Sequence, residues 1–191
     1  MIKENVCLAS LNYYKIGGTA RYLAQPSSLE DLNYISQFTF QNQLPFLFLG
    51  AGSNILFDDQ GFNGIVIQTL NLSRTIQYQP ELECLEVTCS TKVIEALRFC
   101  MSHGLEGLEL LVGIPGSMGG VFFMNAGTHL GEIKDILFEL TTFDLKTGAT
   151  RNIAKTQMDF AYRSQRFLKP SELIVSGKVK RAPVFVRKLG L

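Results

Sequence analysis

Apolar and polar residues alternate along residues 84–90, which predicts a β-strand with Leu85, Val87 and Cys89 on one face. Short apolar or alternating runs between turn-forming residues predict further strands. These cover residues 45–49, 64–70, 74–79, 136–144, 150–153 and 173–180, and residues 12–21 are predicted as a strand that ends in a turn at Gly17-Gly18.

Apolar residues spaced three or four positions apart predict helices. The first is predicted at residues 26–42, where Ser28 and Asp31 resemble a capping box. The second is predicted at residues 91–103, so His103 is expected to end a helix rather than act as a catalyst. Strands and helices are mixed along the chain, which predicts an α+β fold. The buried stripe of the second helix is expected to contain Val93, Ala96, Leu97, Cys100 and Met101.

Composition narrows the class of protein. The 191 residues are 46% hydrophobic, enough for one core or for two small subdomains that share an interface. The formal net charge of +1 gives no basis for binding nucleic acid or an anionic membrane. No apolar run approaches the roughly 20 residues of a membrane span, and the N-terminus lacks the apolar segment of a signal peptide. We therefore predict a soluble cytoplasmic protein.

Metal-binding residues are too few and too scattered to predict a metal site. The four cysteines form no Cys-x-x-Cys pair, so free thiols in a reducing compartment are the expected state. His103 and His129 are the only histidines, which argues against a histidine-rich site. The neighbouring carboxylates of Asp58 and Asp59 are expected to be solvated.

Eight glycines lie among apolar residues between positions 104 and 132. Glycine lets the backbone pass close to another group, because it has no Cβ and tolerates positive φ. One interpretation is a cofactor cradle, in which Pro115 precedes a helix at residues 118–125 whose free N–H groups suit phosphate oxygens. The other is a helix–strand crossing that needs Gly119-Gly120 for packing alone. Composition leaves both interpretations open.

A second glycine-rich turn, residues 50–54, directly follows the predicted strand at residues 45–49. Successive backbone N–H groups in such a turn can form an anion-binding nest. The turn matches neither the dinucleotide fingerprint nor the Walker A sequence, so an ordinary turn is the alternative.

The neighbours Tyr162 and Arg163 are a further candidate for a binding site. The guanidinium of arginine is a forked donor that suits a carboxylate or a phosphate. The alternative is a surface arginine that is stacked on an aromatic ring.

Taken together, these segments resemble one family, the UDP-N-acetylenolpyruvoylglucosamine reductases, which are the MurB flavoenzymes of peptidoglycan synthesis. Each motif alone is weak, but their common order from residue 12 to about residue 178 is highly specific. The matching segments are residues 12–20, Leu-Gly-x-Gly-Ser-Asn-x-Leu at 49–56, Gly-Leu-x-Gly-Leu-Glu at 104–109, Gly-Ile-Pro-Gly-x-x-Gly-Gly at 113–120, Asn-Ala-Gly at 125–127, and the pair Tyr162-Arg163.

The resemblance implies an FAD-binding fold of the vanillyl-alcohol-oxidase type. A small α/β subdomain (residues 1–70) and a larger α+β one (residues 71–181) would hold FAD between them, followed by a short basic tail at residues 182–191. The implied pyrophosphate contacts are Gly50, Ala51, Gly52, Ser53, Asn54, Gly113, Ile114, Pro115, Gly116 and Ser117. The residues implied to approach the flavin are Gly119, Gly120, Asn125, Ala126 and Gly127.

The resemblance also implies an activity. UDP-N-acetylglucosamine enolpyruvate would be reduced to UDP-N-acetylmuramate, with hydride passing from NADPH by way of FAD to the enolpyruvyl double bond and a separate acid supplying the proton. Arg163 would be the catalytic residue that faces the substrate carboxylate.

Several positions depart from the family pattern. Tyr13 stands where the family has threonine, residues 128–130 replace an Ala-aromatic-Gly sequence, and Gln165 stands where serine is usual. The family continues into a substrate-binding domain that carries the proton-donating serine and a late glutamate, and neither has a counterpart here. We therefore expect turnover to need a further polypeptide. The alternatives are a flavin-binding module without catalysis and a degenerate scaffold that binds no flavin.

Overall fold

The computed structural model describes residues 1–180, so the predicted basic tail at residues 182–191 lies outside the described residues. The first sheet has four strands in the order β1-β2-β4-β3. Strands β1 and β2 are antiparallel, whereas β2 and β3 both run parallel to β4. The bounds are β1 (Ile2–Cys7), β2 (Thr19–Ala24), β3 (Phe46–Leu49) and β4 (Phe62–Gln68).

Helix α1 (Leu29–Gln41) connects β2 to β3. The Ser28 hydroxyl accepts a hydrogen bond from the Asp31 N–H at 3.1 Å, which confirms the predicted cap and begins the helix three residues after Pro26. Leu32 and Ile35 are fully buried on the face that packs against the first sheet.

The second sheet has five antiparallel strands in the order β10-β9-β13-β6-β5. Helices α2 and α3 contribute to the core on one of its faces. In chain order this half contains β5 (Ile76–Gln79), β6 (Cys84–Thr88), α2 (Val93–Ser102), α3 (Met118–Phe123), β7 (Gly127–Thr128), β8 (Gly131–Glu132), α4 (Ile133–Ile136), β9 (Leu137–Asp144), β10 (Thr150–Ala154), β11 (Phe160–Ala161), β12 (Ser164–Gln165) and β13 (Glu172–Lys180). The pairs β7–β8 and β11–β12 are small separate hairpins.

Residues from both sheets share one core around α1. Phe143 and Leu145 pack in the same buried cluster as Leu32, and the Ser36 hydroxyl of α1 donates to the Leu145 carbonyl. The chain leaves the first sheet after Gln68 and enters the second at Ile76. The division into two subdomains at residue 70 stays a prediction. Within residues 1–180, no helix has the length and apolarity needed to cross a membrane.

Two local predictions are wrong. Residues 12–18 are not a strand, because the buried Asn12 amide donates to the carbonyls of Leu8 and Ile16 and closes a loop, and β2 begins only after the glycine pair. Met101 is 81% exposed, although it was predicted to belong to the buried stripe of α2. It follows the buried Cys100 directly, and one residue is a rotation of about 100° around a helix.

Candidate functional site

A cavity of about 900 Å³ lies against the end of β3, the start of α3 and the segment that leads into β13. This volume is in the upper part of the range of about 300–1,000 Å³ for small-molecule and cofactor sites. Of the predicted cofactor-binding residues, Gly113 and Asn125 do not line the cavity. Those that do are Gly50, Ala51, Gly52, Ser53, Asn54, Ile114, Pro115, Gly116, Ser117, Gly119, Gly120, Ala126 and Gly127, together with the predicted catalytic residue Arg163.

Residues 50–54, the first glycine turn, follow β3 directly and form one part of the wall. Gly52 has a φ of +70°, and a Cβ there would lie 2.1 Å from the Leu11 carbonyl oxygen. Only glycine allows this turn to pack so closely on the preceding loop. Within residues 1–180, no backbone carbonyl accepts a hydrogen bond from the N–H groups of residues 51–54.

Residues 113–117, the second glycine turn, touch the first turn across the chain. The Ser53 hydroxyl donates to the Pro115 carbonyl at 3.1 Å, and these two residues are 62 positions apart. A Cβ on Gly50 would lie 2.6 Å from the Ser117 hydroxyl oxygen, so a side chain at position 50 would have to displace this hydroxyl. The two turns predicted separately from the sequence therefore form one continuous wall.

Ser117 gives this wall an unsatisfied polar group. Its hydroxyl is buried and has no hydrogen-bond partner within the described part of the chain. A buried hydroxyl without a partner is costly, by about 1–3 kcal/mol, unless a bound group satisfies it. With the N–H groups of the first turn, it offers several donors to a ligand that carries oxygen acceptors, and the residues therefore fit a phosphate-bearing cofactor.

One predicted source of phosphate-binding donors is wrong. The first two N–H groups of α3 are not free, because Met118 donates to the Thr91 carbonyl at 2.8 Å and Gly119 donates to the Cys89 carbonyl at 3.0 Å. These bonds join the start of α3 to the segment between β6 and α2. Of the first three N–H groups of α3, only that of Gly120 has no backbone acceptor within residues 1–180, so most of the candidate donors lie in the two turns.

The glycine pair in α3 supports both interpretations that composition left open. A Cβ on Gly119 would lie 2.8 Å from the Cys89 Cβ, so Gly119 is needed for packing. A Cβ on Gly120 would meet only the Ser117 hydroxyl, at 3.8 Å, and Gly120 lines the cavity. Both glycines line the cavity, but a Cβ on Gly119 would point at Cys89, whereas a Cβ on Gly120 would have space.

Asn125 supports the wall from behind. It is fully buried, with a φ of +45°, which asparagine tolerates better than most residues. Its side-chain oxygen accepts from the Lys134 N–H at 3.2 Å, and its NH₂ group donates to Glu132 at 3.0 Å and to the Ala161 carbonyl at 3.1 Å. These bonds hold Ala126 and Gly127, which follow in the chain, at the cavity wall.

Arg163 lies in the turn between β11 and β12 with a φ of +52°. Its guanidinium donates to the Gly127 carbonyl at 2.7 Å and to the Asn125 carbonyl at 3.4 Å. It also lies 5.3 Å from the centre of the Tyr162 ring, so the stacked arrangement considered from the sequence is present in addition to the cavity position.

Sequence reasoning missed two acidic residues near the site. A hydrogen bond from Lys134, and a further one from Asn125, hold the pKa of Glu132 below its usual value. Glu172 lines the cavity, and its two oxygens accept from Arg151 at 2.6 and 2.8 Å, which lowers the pKa of Glu172. Neither position carries a motif, and the Arg151 partner is on a different strand.

Comparison with known proteins identifies the family and the fold. A family model described as an FAD binding domain matches residues 20–154. The UDP-N-acetylenolpyruvoylglucosamine reductase of Synechococcus sp. (strain RCC307) is 32% identical over 179 residues, which is 94% of this chain and 58% of the relative. The chain thus spans about six-tenths of the length of this curated relative.

Solved structures show the same fold. UDP-N-acetylenolpyruvylglucosamine reductase (MurB) from Thermus caldophilus matches with a TM-score of 0.78 and 28% identity, over 96% of this chain and 64% of that one. A cholesterol oxidase from Brevibacterium sterolicum matches with a TM-score of 0.66 and 13% identity, over 96% of this chain and 38% of that one, and shows the fold alone. The predicted flavoprotein fold of the vanillyl-alcohol-oxidase type is confirmed.

Proposed function

Because the chain belongs to the family of FAD-binding domains, we propose that it binds FAD in the cavity, with the pyrophosphate against the first and second glycine turns. The observation that carries this proposal is the contact between the two turns, where the unpartnered Ser117 hydroxyl and the N–H groups of residues 51–54 are available. Such groups bind phosphate oxygens without any cationic side chain.

The flavin end of the cofactor is proposed to lie against Gly120, Ala126 and Gly127, which also line the cavity. When bound, FAD supplies the hydride chemistry. The chain itself orients the ring and excludes water from it. The bonds of Asn125 and Arg163 to the neighbouring backbone fix the position of this wall.

We further propose the reaction that the names of its relatives give. NADPH would reduce the enolpyruvyl double bond of the UDP-sugar by adding one hydride and one proton, and NADPH would be oxidised to NADP⁺. Arg163 would then be the catalytic residue that faces the substrate carboxylate. Backbone carbonyls accept from two of the five N–H donors of its guanidinium, and the other three have no acceptor within residues 1–180.

A titration of the purified apoprotein with FAD tests the first part of the proposal. Flavin absorbance that stays with the protein after gel filtration is expected, and a protein that remains colourless would refute the proposal. An assay of NADPH oxidation with the enolpyruvyl UDP-sugar then tests the second part. FAD binding without substrate-dependent oxidation would restrict the chain to a flavin-binding module.

Substitution of each glycine in α3 separates packing from cofactor binding. Gly119→Ala is expected to lower the free energy of unfolding by about 1–3 kcal/mol, because its Cβ overlaps Cys89. Gly120→Ala is expected to leave stability unchanged or raise it by up to about 1 kcal/mol, since alanine favours a helix. It should nevertheless weaken FAD binding at least about tenfold, because its Cβ occupies space in the cavity.

Urea unfolding and FAD titration of both variants measure the two effects. Each variant serves as the control for the other, since they differ by one position in the same helix. Unchanged FAD affinity in Gly120→Ala would show that the cofactor does not pass along this face of α3.

A further inference from the structure

Gln165 is a cavity residue to which no role has been given so far. It is the second residue of β12, lies opposite Phe160 in the small hairpin, and lines the same cavity as Arg163 two residues earlier. It stands where the family that the sequence resembles has serine. A longer side chain with a different set of donors therefore replaces a hydroxyl at this point of the wall.

The orientation of the Gln165 amide follows from its neighbours. Its side-chain oxygen accepts from the N–H groups of Phe167 at 3.1 Å and of Leu168 at 2.9 Å. Two backbone donors at the same end require an oxygen there, so the other end of the amide must be the NH₂ group. The side chain is held in one conformation by these bonds. Among the hydrogen bonds of residues 1–180, no protein acceptor takes a hydrogen bond from this NH₂ group.

The charged residues that line the cavity with Gln165 favour an electron-rich partner, because Lys169 is a cation and the Glu172 carboxylate is already paired with Arg151. Arg163 is cationic and lines the same cavity, with only part of its donors used. The Gln165 NH₂ group and the Arg163 guanidinium, two groups of residues that line one cavity, are N–H donors and cannot accept. A ligand group that is itself a donor would be poorly matched, whereas a carbonyl or carboxylate oxygen would be well matched.

We propose that the Gln165 NH₂ group donates to an acceptor oxygen of the bound ligand and, with Arg163, selects for such an oxygen at this end of the cavity. This inference rests on the proposed function. The oxygen has two potential sources, a carbonyl of the flavin ring or the carboxylate of the enolpyruvyl substrate, and the same experiment distinguishes them.

The substitution Gln165→Glu tests the donor without removing the support for the turn. One carboxylate oxygen still accepts from Phe167 and Leu168, while the NH₂ group becomes an oxygen that repels the acceptor. Gln165→Ala removes both roles. Gln157→Glu is the matched control, because the Gln157 side-chain oxygen also accepts one backbone N–H, from Ala154 at 3.0 Å, at an exposed position away from the cavity.

Binding rather than turnover is the readout. FAD titration of the apoproteins gives one dissociation constant, and the change in flavin absorbance on adding the enolpyruvyl UDP-sugar to the FAD-loaded proteins gives the other. Thermal unfolding of each apoprotein reports on folding. We expect Gln165→Glu to have the same melting temperature as the wild type and Gln157→Glu. We expect it to raise the dissociation constant of one of the two ligands by about tenfold or more.

The ligand whose affinity falls is the source of the oxygen. A loss of FAD affinity assigns it to the flavin, and a loss confined to the UDP-sugar assigns it to the substrate carboxylate. If the wild type binds FAD and Gln165→Glu binds both ligands as the wild type does, the role of Gln165 is refuted while the proposed function stands. A wild type that binds no FAD refutes the proposed function, and this inference with it.

Discussion

Gly52→Ala is expected to lower the free energy of unfolding by about 3 kcal/mol or more and to abolish FAD binding. The φ of +70° at this position costs a residue with a side chain about 1–2 kcal/mol. The larger effect is steric, since the new Cβ would lie 2.1 Å from the Leu11 carbonyl oxygen and 2.9 Å from the Asn12 Cα. Both are backbone atoms, so no change of rotamer relieves the overlap.

Urea unfolding and FAD titration measure the effect of Gly52→Ala, with Gly113→Ala as the control. Gly113 has a similar φ of +83°, but a Cβ there would meet nothing within 4 Å, and the residue does not line the cavity. Gly113→Ala is therefore expected to lower the free energy of unfolding only by the backbone strain, about 1–2 kcal/mol, and to bind FAD as the wild type does. Equal losses of stability in the two variants would show that overlap with the Leu11 carbonyl does not add to the cost of Gly52→Ala.

The local structure around Gly52 could be predicted from the sequence, but its contacts could not. The predicted strand at residues 45–49 and the glycine turn after it are confirmed as β3 and the first glycine turn. Both could be predicted because short apolar runs and glycines are local signals. The bond from Ser53 to Pro115 joins residues 62 positions apart, and no periodicity carries that information. Motif order in a known family suggested that the two turns work together.

The direction of individual polar groups was the least predictable property. The N–H groups of Met118 and Gly119 are expected to be free because a helix begins there, yet the segment that follows β6 supplies their acceptors. Ser117, the residue before them, has a buried hydroxyl that finds no partner among residues 1–180. Which of these neighbours faces the cavity depends on tertiary packing against Cys89 and Thr91. The sequence could therefore identify the segment, while only the structure distinguishes donors that are used from donors that remain available.

The polar groups of the Asn125 side chain are used within the protein. Asn125→Ala is therefore expected to lower the free energy of unfolding by about 3 kcal/mol or more. Alanine at a φ of +45° costs about 1–2 kcal/mol. The substitution also leaves the Lys134 N–H and the Ala161 carbonyl without their partner, at about 1–3 kcal/mol for each group that stays buried. FAD affinity should fall as well, because Ala126 and Gly127 lose their support.

Asn125→Gly separates the two causes. Glycine adopts the positive φ without strain but has no amide, so this variant should lose only the hydrogen-bond contribution and lie between the wild type and Asn125→Ala in urea unfolding. If Asn125→Gly matches the wild type in stability and in FAD affinity, the bonds to Lys134 and Ala161 do not hold the wall. If it instead falls close to Asn125→Ala, the amide rather than the backbone conformation is what positions Ala126 and Gly127 at the cavity.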